Sequence, residues 1–235
     1  GHVDEMYTDV MGNLIAVKNG DGTGRRIMAS AHMDHIGMAV VDADKHGFLR
    51  VCSVGGIRAA RMVSGHVVFE NGVRGVVGAD EKVKGELQVS DLYIDIGAQT
   101  KEEALSMVSL GDMCVMAPRV SMLGENRIAS PAMDDRIACA LLVSVMQQLG
   151  ETKDTVYAVF STQEEVGCRG AKVASFAKEP DIGIALDVTA NGDTPETKLP
   201  AVKLGAGAAI KVMDRGSISN PELFNDLLAA GQAAG

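Results

Sequence analysis

The sequence predicts an α/β domain that is interrupted by a small all-β domain, and two observations carry this prediction. After residue 118, apolar strand-like runs alternate with helical patterns, which is typical of a sheet covered by helices on both faces. Between residues 39 and 118, short β-branched runs are separated by glycines and charged turns, which favours a small barrel or sandwich. We therefore assign residues 1–38 and 119–235 to one domain and residues 39–118 to an insertion.

Local patterns predict the elements of both parts in chain order. Thr100 can cap a helix over residues 100–109 in the insertion, and Asn220 can cap the last helix, which has Pro221 in its first turn. The strands are predicted at residues 13–18, 26–31, 65–70, 73–77, 92–96, 113–116, 155–160 and 182–186. The remaining helices are predicted at residues 134–149, 170–176 and 221–230, and the first of these is apolar nearly all round, as in a buried helix. The alternation also predicts a largely parallel sheet.

Composition excludes several classes of partner and location. The net charge is −9, so we expect no nucleic-acid binding and no attraction to anionic membranes, because both recruit basic surfaces. The most apolar run, residues 137–146, is shorter than the roughly 20 residues that span a bilayer. The four cysteines are scattered without a CxxC pair, which favours reduced thiols in a cytoplasmic protein.

Acidic residues and one histidine follow the ends of several predicted strands. His32 and Asp34 follow the second strand, the pair Glu164-Glu165 follows residue 160, and Asp187 follows residue 186. Asp134-Asp135 begins the predicted buried helix. Sites in open α/β sheets form at the carboxyl ends of the strands, so we expect these side chains to meet at one edge.

This set of side chains suits one or two divalent cations. Imidazole and carboxylate ligands favour zinc, cobalt or manganese. Asp134 is a candidate bridge between two ions, and the candidate terminal ligands are His32, Glu165 and Asp187. Asp34 could accept a hydrogen bond from His32 and fix its tautomer. Simpler roles remain open for each residue: a core histidine, a helix cap, a solvated acidic turn or the start of a turn.

The motifs that contain these residues resemble the M42 family of metalloaminopeptidases, which includes glutamyl aminopeptidases and the tetrahedral TET peptidases. The matching segments are AHMDHIG at residues 31–37, AMDDR at 132–136, QEEVG at 163–167 and LDV at 186–188. Further segments that resemble the family are DVMGNL at residues 9–14, DIGA at 95–98 and KLG at 203–205. The resemblance thus extends along essentially the whole chain.

The resemblance implies a three-layer α/β/α peptidase domain with a barrel-like insertion that is used in homo-oligomers, from dimer to dodecamer. It implies two divalent ions bridged by Asp134 and a water, with His32 or Asp187 on one ion and Glu165 on the other. It also implies Glu164 as general base, peptides as substrates and a cis bond between Asp134 and Asp135. The family has a final histidine ligand beyond the region that matches Gly235, so we expect a chain truncated at both ends.

Two other functions remain open. A glycoside hydrolase, or glucanase, could use two of the carboxylates as acid and base, although only 3% of the residues are aromatic and could stack on sugars. A non-catalytic assembly subunit could retain the scaffold, but it would have no need of Glu164 beside the ligands. The preferred N-terminal residue and the metal are not determined by these motifs.

Overall fold

The computed structural model describes residues 1–195, 197 and 202–234. These residues belong to two compact units, Gly1–Asp187 and Val188–Gly235, which we treat separately. The first unit contains a five-stranded sheet, a closed barrel of six strands and a separate two-stranded hairpin. The fold is therefore mixed α/β with an inserted barrel, which confirms the predicted fold class.

The five-stranded sheet has the order β1-β2-β12-β3-β13. Its strands are β1 (Glu5–Thr8), β2 (Leu14–Lys18), β3 (Arg26–His32), β12 (Thr155–Ser161) and β13 (Ile182–Ala185). β12 and β13 run parallel to β3, whereas β1 and β12 run antiparallel to β2. The prediction of a largely parallel sheet was therefore wrong for half of the ladders. The connections from β1 to β2 and from β2 to β3 are too short for the crossover that parallel strands need, so the direction reverses twice.

Two helices cover opposite faces of this sheet and give three layers. α2 (Met133–Gln148) packs its buried residues Ala138, Leu142 and Met146 against Ala16, Ala31, Ala158 and Phe160 of the strands. α3 (Arg169–Lys178) packs Ala174 against Ile15, Val17, Met28 and Val159 on the other face. Successive residues of β2 thus face different helices, as the two-residue period of a strand requires.

The prediction that α2 is buried on nearly all sides was wrong for the described part of the chain. Its apolar residues Ile137, Leu141, Val143 and Val145 are exposed, and Leu141 is 54% accessible. A helix that lies on a sheet buries only the stripe that faces the strands. Apolar composition alone did not reveal which stripe that is.

The barrel has the strand order β4-β5-β8-β7-β6-β9. Its strands are β4 (Gly37–Ala43), β5 (Leu49–Val54), β6 (His66–Phe69), β7 (Arg74–Ala79), β8 (Leu92–Asp95) and β9 (Met113–Met116). All of its ladders are antiparallel. Alternate residues such as Leu92 and Ile94 fill the interior, and α1 (Lys101–Met107) packs Ala104 on the same core. That residues 39–118 form a domain used in assembly stays a prediction.

Hairpin β10 (Ser121–Leu123) and β11 (Arg127–Ala129) joins the barrel to α2. The second unit contains α4 (Pro221–Ala234), whose start is capped as predicted: Asn220 Oδ1 accepts from the Glu222 and Leu223 backbone N–H groups at 3.0 Å each. In the described ranges, no helix is long and apolar enough to cross a membrane.

Candidate metal centre

Ends of three neighbouring strands place the candidate ligands at one edge of the sheet. His32 is the last residue of β3 and is only 3% exposed. The pair Glu164-Glu165 lies in the loop after β12, and Asp187 comes two residues after the end of β13. These three strands are parallel to one another, so their carboxyl ends meet, as expected from the sequence.

The side chains at this edge form two overlapping groups of possible metal ligands. One ligand atom each from His32, Asp134 and Glu165 lie within 4.8 Å of one another. His32, Asp135 and Asp187 form a second group within the same limit. The structure therefore brings together all four predicted ligands, with His32 common to both groups. It adds Asp135, which we had not selected as a ligand although it stands next to Asp134.

The orientation of His32 leaves one ring nitrogen facing the carboxylates. Its Nδ1 lies 2.8 Å from the backbone carbonyl of Asp34, which can only accept, so Nδ1 carries the proton. Nε2 lies 2.9 Å from Asp134 Oδ1. In this tautomer, the lone pair of Nε2 is available to a cation.

Asp34 has a different role from the one predicted. Its carboxylate oxygen lies 3.7 Å from His32 Nδ1, so the backbone carbonyl, and not the carboxylate, orients the imidazole. The carboxylate instead accepts from the backbone N–H groups of Glu164 at 3.0 Å and Glu165 at 3.2 Å. The turn after β3 brings residue 34 back beside the imidazole and aims its side chain at the neighbouring loop.

Glu164 lies beside the ligand groups without belonging to either. One carboxylate oxygen, Oε2, is 3.9 Å from His32 Nε2. The other, Oε1, accepts a hydrogen bond from Cys168 Sγ at 3.2 Å. The carboxylate is therefore placed where it could exchange protons with a molecule bound at the cluster.

Asp135 is fully buried and has an oxygen without a partner. Oδ2 accepts from the His32 backbone N–H at 3.3 Å, whereas Oδ1 has no hydrogen-bond partner among the described residues. Burial, assisted by the negative charge of Asp187, raises the pKa of Asp135 to about 6. The peptide bond between Asp134 and Asp135 is cis, as the resemblance implied.

The electrostatics of the cluster also suit a cation. Burial and then the negative charge of Asp134 raise the pKa of Glu165. Burial lowers the pKa of His32, but the Asp34 carbonyl and the charges of Glu164 and Asp134 outweigh it, and the net shift is upward. Several carboxylates thus converge on one imidazole and destabilise one another. With the partnerless Asp135 oxygen and an all nitrogen-and-oxygen donor set, these residues fit divalent metal binding.

The family model for M42 glutamyl aminopeptidases matches residues 12–235. A putative aminopeptidase from Acetivibrio thermocellus is 48% identical, with 94% of this chain and 67% of the relative covered. A lysyl aminopeptidase from Pyrococcus furiosus is 38% identical, with 94% and 66% covered. The chain thus spans about two thirds of the length of these relatives.

The fold of this chain is also similar to those of several solved structures. An aminopeptidase from Desulfurococcus kamchatkensis matches with a TM-score of 0.93 and 34% identity, over 99% of this chain and 68% of its own. The TET1 peptidase of Pyrococcus horikoshii, described as assembling into a tetrahedron or an octahedral shell, has a TM-score of 0.85 at 32% identity, with 98% and 72% covered. An endoglucanase from Thermotoga maritima has the same TM-score at 31% identity, with 100% and 72% covered. The extent of the family match and the identity to these relatives show that the chain belongs to the M42 glutamyl aminopeptidase family.

Proposed function

We propose that the protein containing this chain is a dinuclear metal-dependent aminopeptidase that removes the N-terminal residue from peptides. The observation that carries the proposal is the convergence of two ligand groups on His32 with Glu164 beside them. Family membership supports the same reaction.

In this proposal, His32, Asp134, Glu165 and Asp187 would hold two divalent ions, and Asp134 would be the ligand that the two ions share. Zinc or cobalt is expected, and manganese is also compatible with these ligands. When bound, such ions polarise a peptide carbonyl and lower the pKa of a coordinated water. The position of Asp135 beside His32 and Asp187 supports it as a further ligand or as a buried support for them.

Glu164 acts as the general base in this proposal. Its carboxylate takes a proton from the attacking water and returns it to the departing amine as the peptide bond breaks. Two contacts support this role: Oε2 faces the cluster, and the backbone N–H of Glu164 is held by Asp34. Asp34 is a positioning residue for Glu164.

We further propose that the protein is a homo-oligomer, between a dimer and a dodecamer, that assembles through the barrel. The description of the Pyrococcus horikoshii peptidase as a tetrahedral or octahedral assembly supports this proposal.

None of the four cysteines forms a disulfide, which is consistent with the predicted reducing, cytoplasmic location.

Substitution of Glu164 tests the reaction. Glu164→Gln keeps the shape of the side chain but removes the base, so kcat on amino-acid nitroanilides should fall on the order of 100- to 10,000-fold. Metal content should be unchanged, because Glu164 is outside both ligand groups. Glu151→Gln, at an exposed position after α2, is the matched control. Near-normal turnover by Glu164→Gln would contradict the assignment of the base.

A chelator separates the proposed function from its alternatives. EDTA should abolish peptidase activity, and added zinc or cobalt should restore it. Activity on β-glucans that survives EDTA would instead identify a glycoside hydrolase, the function named for the Thermotoga maritima neighbour. A fully metal-loaded protein with neither activity would indicate the assembly subunit.

A further inference from the structure

The segment Thr162–Gly170, here called the Glu-Glu loop, carries both Glu164 and Glu165. Its backbone closes on itself: the Gly170 N–H donates to the Thr162 carbonyl at 3.0 Å, and the Gly167 N–H donates to the Glu164 carbonyl at 2.8 Å. The two ends of the loop are therefore neighbours. What holds these ends also determines where the two glutamates lie.

Asn13, just before β2, holds both ends of the Glu-Glu loop. Its side chain is completely buried. Oδ1 accepts from the Thr162 N–H at 2.9 Å, and Nδ2 donates to the Gly170 carbonyl at 3.0 Å. The second hydrogen on Nδ2 goes to Asp9 Oδ2 at 2.7 Å. One amide thus ties the loop to the neighbouring strand through an acceptor and a donor.

Local packing explains why other side chains cannot replace this clamp. Leu would have neither the donor nor the acceptor, and Asp would lack the donor and place a charge beside Asp9. Gly170 leaves room for the amide, because a Cβ at this position would collide with Asn13 Oδ1 and with backbone atoms of Thr162. Buried, fully paired polar groups of this kind make a structure rigid and unique.

Asp34 holds the middle of the same loop through the N–H groups of Glu164 and Glu165. The loop is thus fixed at its ends by a residue before β2 and in its middle by a residue after β3. Both strands are neighbours of β12, from which the loop emerges. Two clamps on adjacent strands restrict both rotation and translation of the glutamates.

We propose that Asn13 is a positioning residue for Glu164 and Glu165, although its contacts are with the loop backbone and not with either carboxylate. This inference rests on the proposed function of Glu164. Loss of the clamp would let the base shift relative to its target, and a displacement of about 1 Å in an active site can cost on the order of 100-fold in rate. We expect the change mainly in kcat, because Glu164 is proposed to act in the proton transfer of the chemical step.

Asn13→Ala in the protein that contains this chain tests the inference, with Asn71→Ala as matched control. Asn71 makes a comparable pair of bonds in the barrel, to the Met107 carbonyl at 2.9 Å and the Val73 N–H at 3.1 Å. At saturating zinc, Asn13→Ala should lower kcat about 10- to 100-fold and leave KM within about twofold. Hydrogen exchange of the peptide covering residues 162–170 should accelerate in the metal-free protein. Asn71→Ala should change neither kcat nor the hydrogen exchange of residues 162–170.

Gly170→Ala should displace the Glu-Glu loop in a second way, because the added Cβ would collide with Asn13 Oδ1 and the Thr162 backbone. This variant tests the inference if Asn13→Ala does not fold. It should reproduce the loss in kcat and the faster exchange. Unchanged kcat and exchange in a folded Asn13 variant, or in Gly170→Ala, would overturn the inference. A normally active Glu164→Gln would instead refute the proposed base, and loop exchange would still decide whether Asn13 holds the loop.

Discussion

Asp134 is the most exposed residue of its ligand group, with 53% of its side chain accessible, and its Oδ1 lies 2.9 Å from His32 Nε2. In the proposed site, this carboxylate would be shared by two cations. The neutral amide in Asp134→Asn should therefore weaken metal binding beyond the roughly 10- to 100-fold that loss of an outer hydrogen-bond partner costs. Metal content after dialysis and isothermal titration would measure this. The control variant Asp226→Asn, at an exposed site on α4, should bind metal as the unchanged protein does. Unchanged metal binding by Asp134→Asn would contradict the assignment of Asp134 as a bridging ligand.

Three of the four thiols should differ in reactivity according to their surroundings. Cys52 and Cys168 are exposed, whereas Cys114 lies in the barrel core, where burial raises its pKa to about 11. The hydrogen bond to Glu164 also raises the pKa of Cys168. Since the thiolate is the reactive form, we expect Ellman's reagent at pH 8 to label Cys52 first, Cys168 more slowly and Cys114 only after denaturation. Rapid labelling of Cys114 in the folded protein would contradict its burial.

At the residue scale, sequence patterns located the ligands but not all of their partners. His32, Asp134, Glu165 and Asp187 were recognisable because each stands at a strand end or a helix start. Asp135 was not among the predicted ligands, although it stands beside Asp134 at the same helix start. The hydrogen bonds of Asp34 and Asn13 could not be predicted, since they join segments more than 100 residues apart.

At the element scale, β8 contributes Leu92 and Ile94 to the barrel core. Leu92 is completely buried there, whereas Leu110, near the start of β9, is 58% exposed. Leu92→Ala should lower the free energy of unfolding by about 2–5 kcal/mol, because it removes buried methyl groups and leaves a cavity. Leu110→Ala should change it by less than about 0.5 kcal/mol. Urea denaturation followed by circular dichroism would measure both, and equal effects would contradict the burial of β8.

Elements with a strong local signal were predicted closely. β9 matches residues 113–116, and Thr100 Oγ1 accepts from the Glu103 N–H at the start of α1, as the cap prediction requires. β1, β4, β5, β10 and β11 were not predicted. β1, β10 and β11 are short and mostly exposed and lack a clear apolar alternation, and β4 has a register shift between Val40 and Asp42 that interrupts its alternation. Their conformation depends on pairing with another strand, which a local pattern does not encode.

At the scale of the whole molecule, metal binding should be linked to stability. Ions that bind only the folded state at 100 times their Kd stabilise it by about 2.7 kcal/mol. For a chain of this length, that corresponds to a rise in Tm of about 5–10 °C. Differential scanning calorimetry with zinc and with EDTA would measure the shift. Asp134→Asn should show a smaller shift, and an equal shift in this variant would place the binding site elsewhere.

Sequence patterns alone identify the family, the alternation of strands and helices, and the residue types that suit a divalent cation. These properties are local, because each depends on a few neighbouring residues whose chemistry and spacing can be read along the chain. Only the folded chain shows which strands are parallel, which stripe of α2 is buried, and that the Asp34 carboxylate holds the Glu-Glu loop and not His32. These features depend on contacts between segments that are distant in the sequence, and such contacts form only when the strands pair in the sheet.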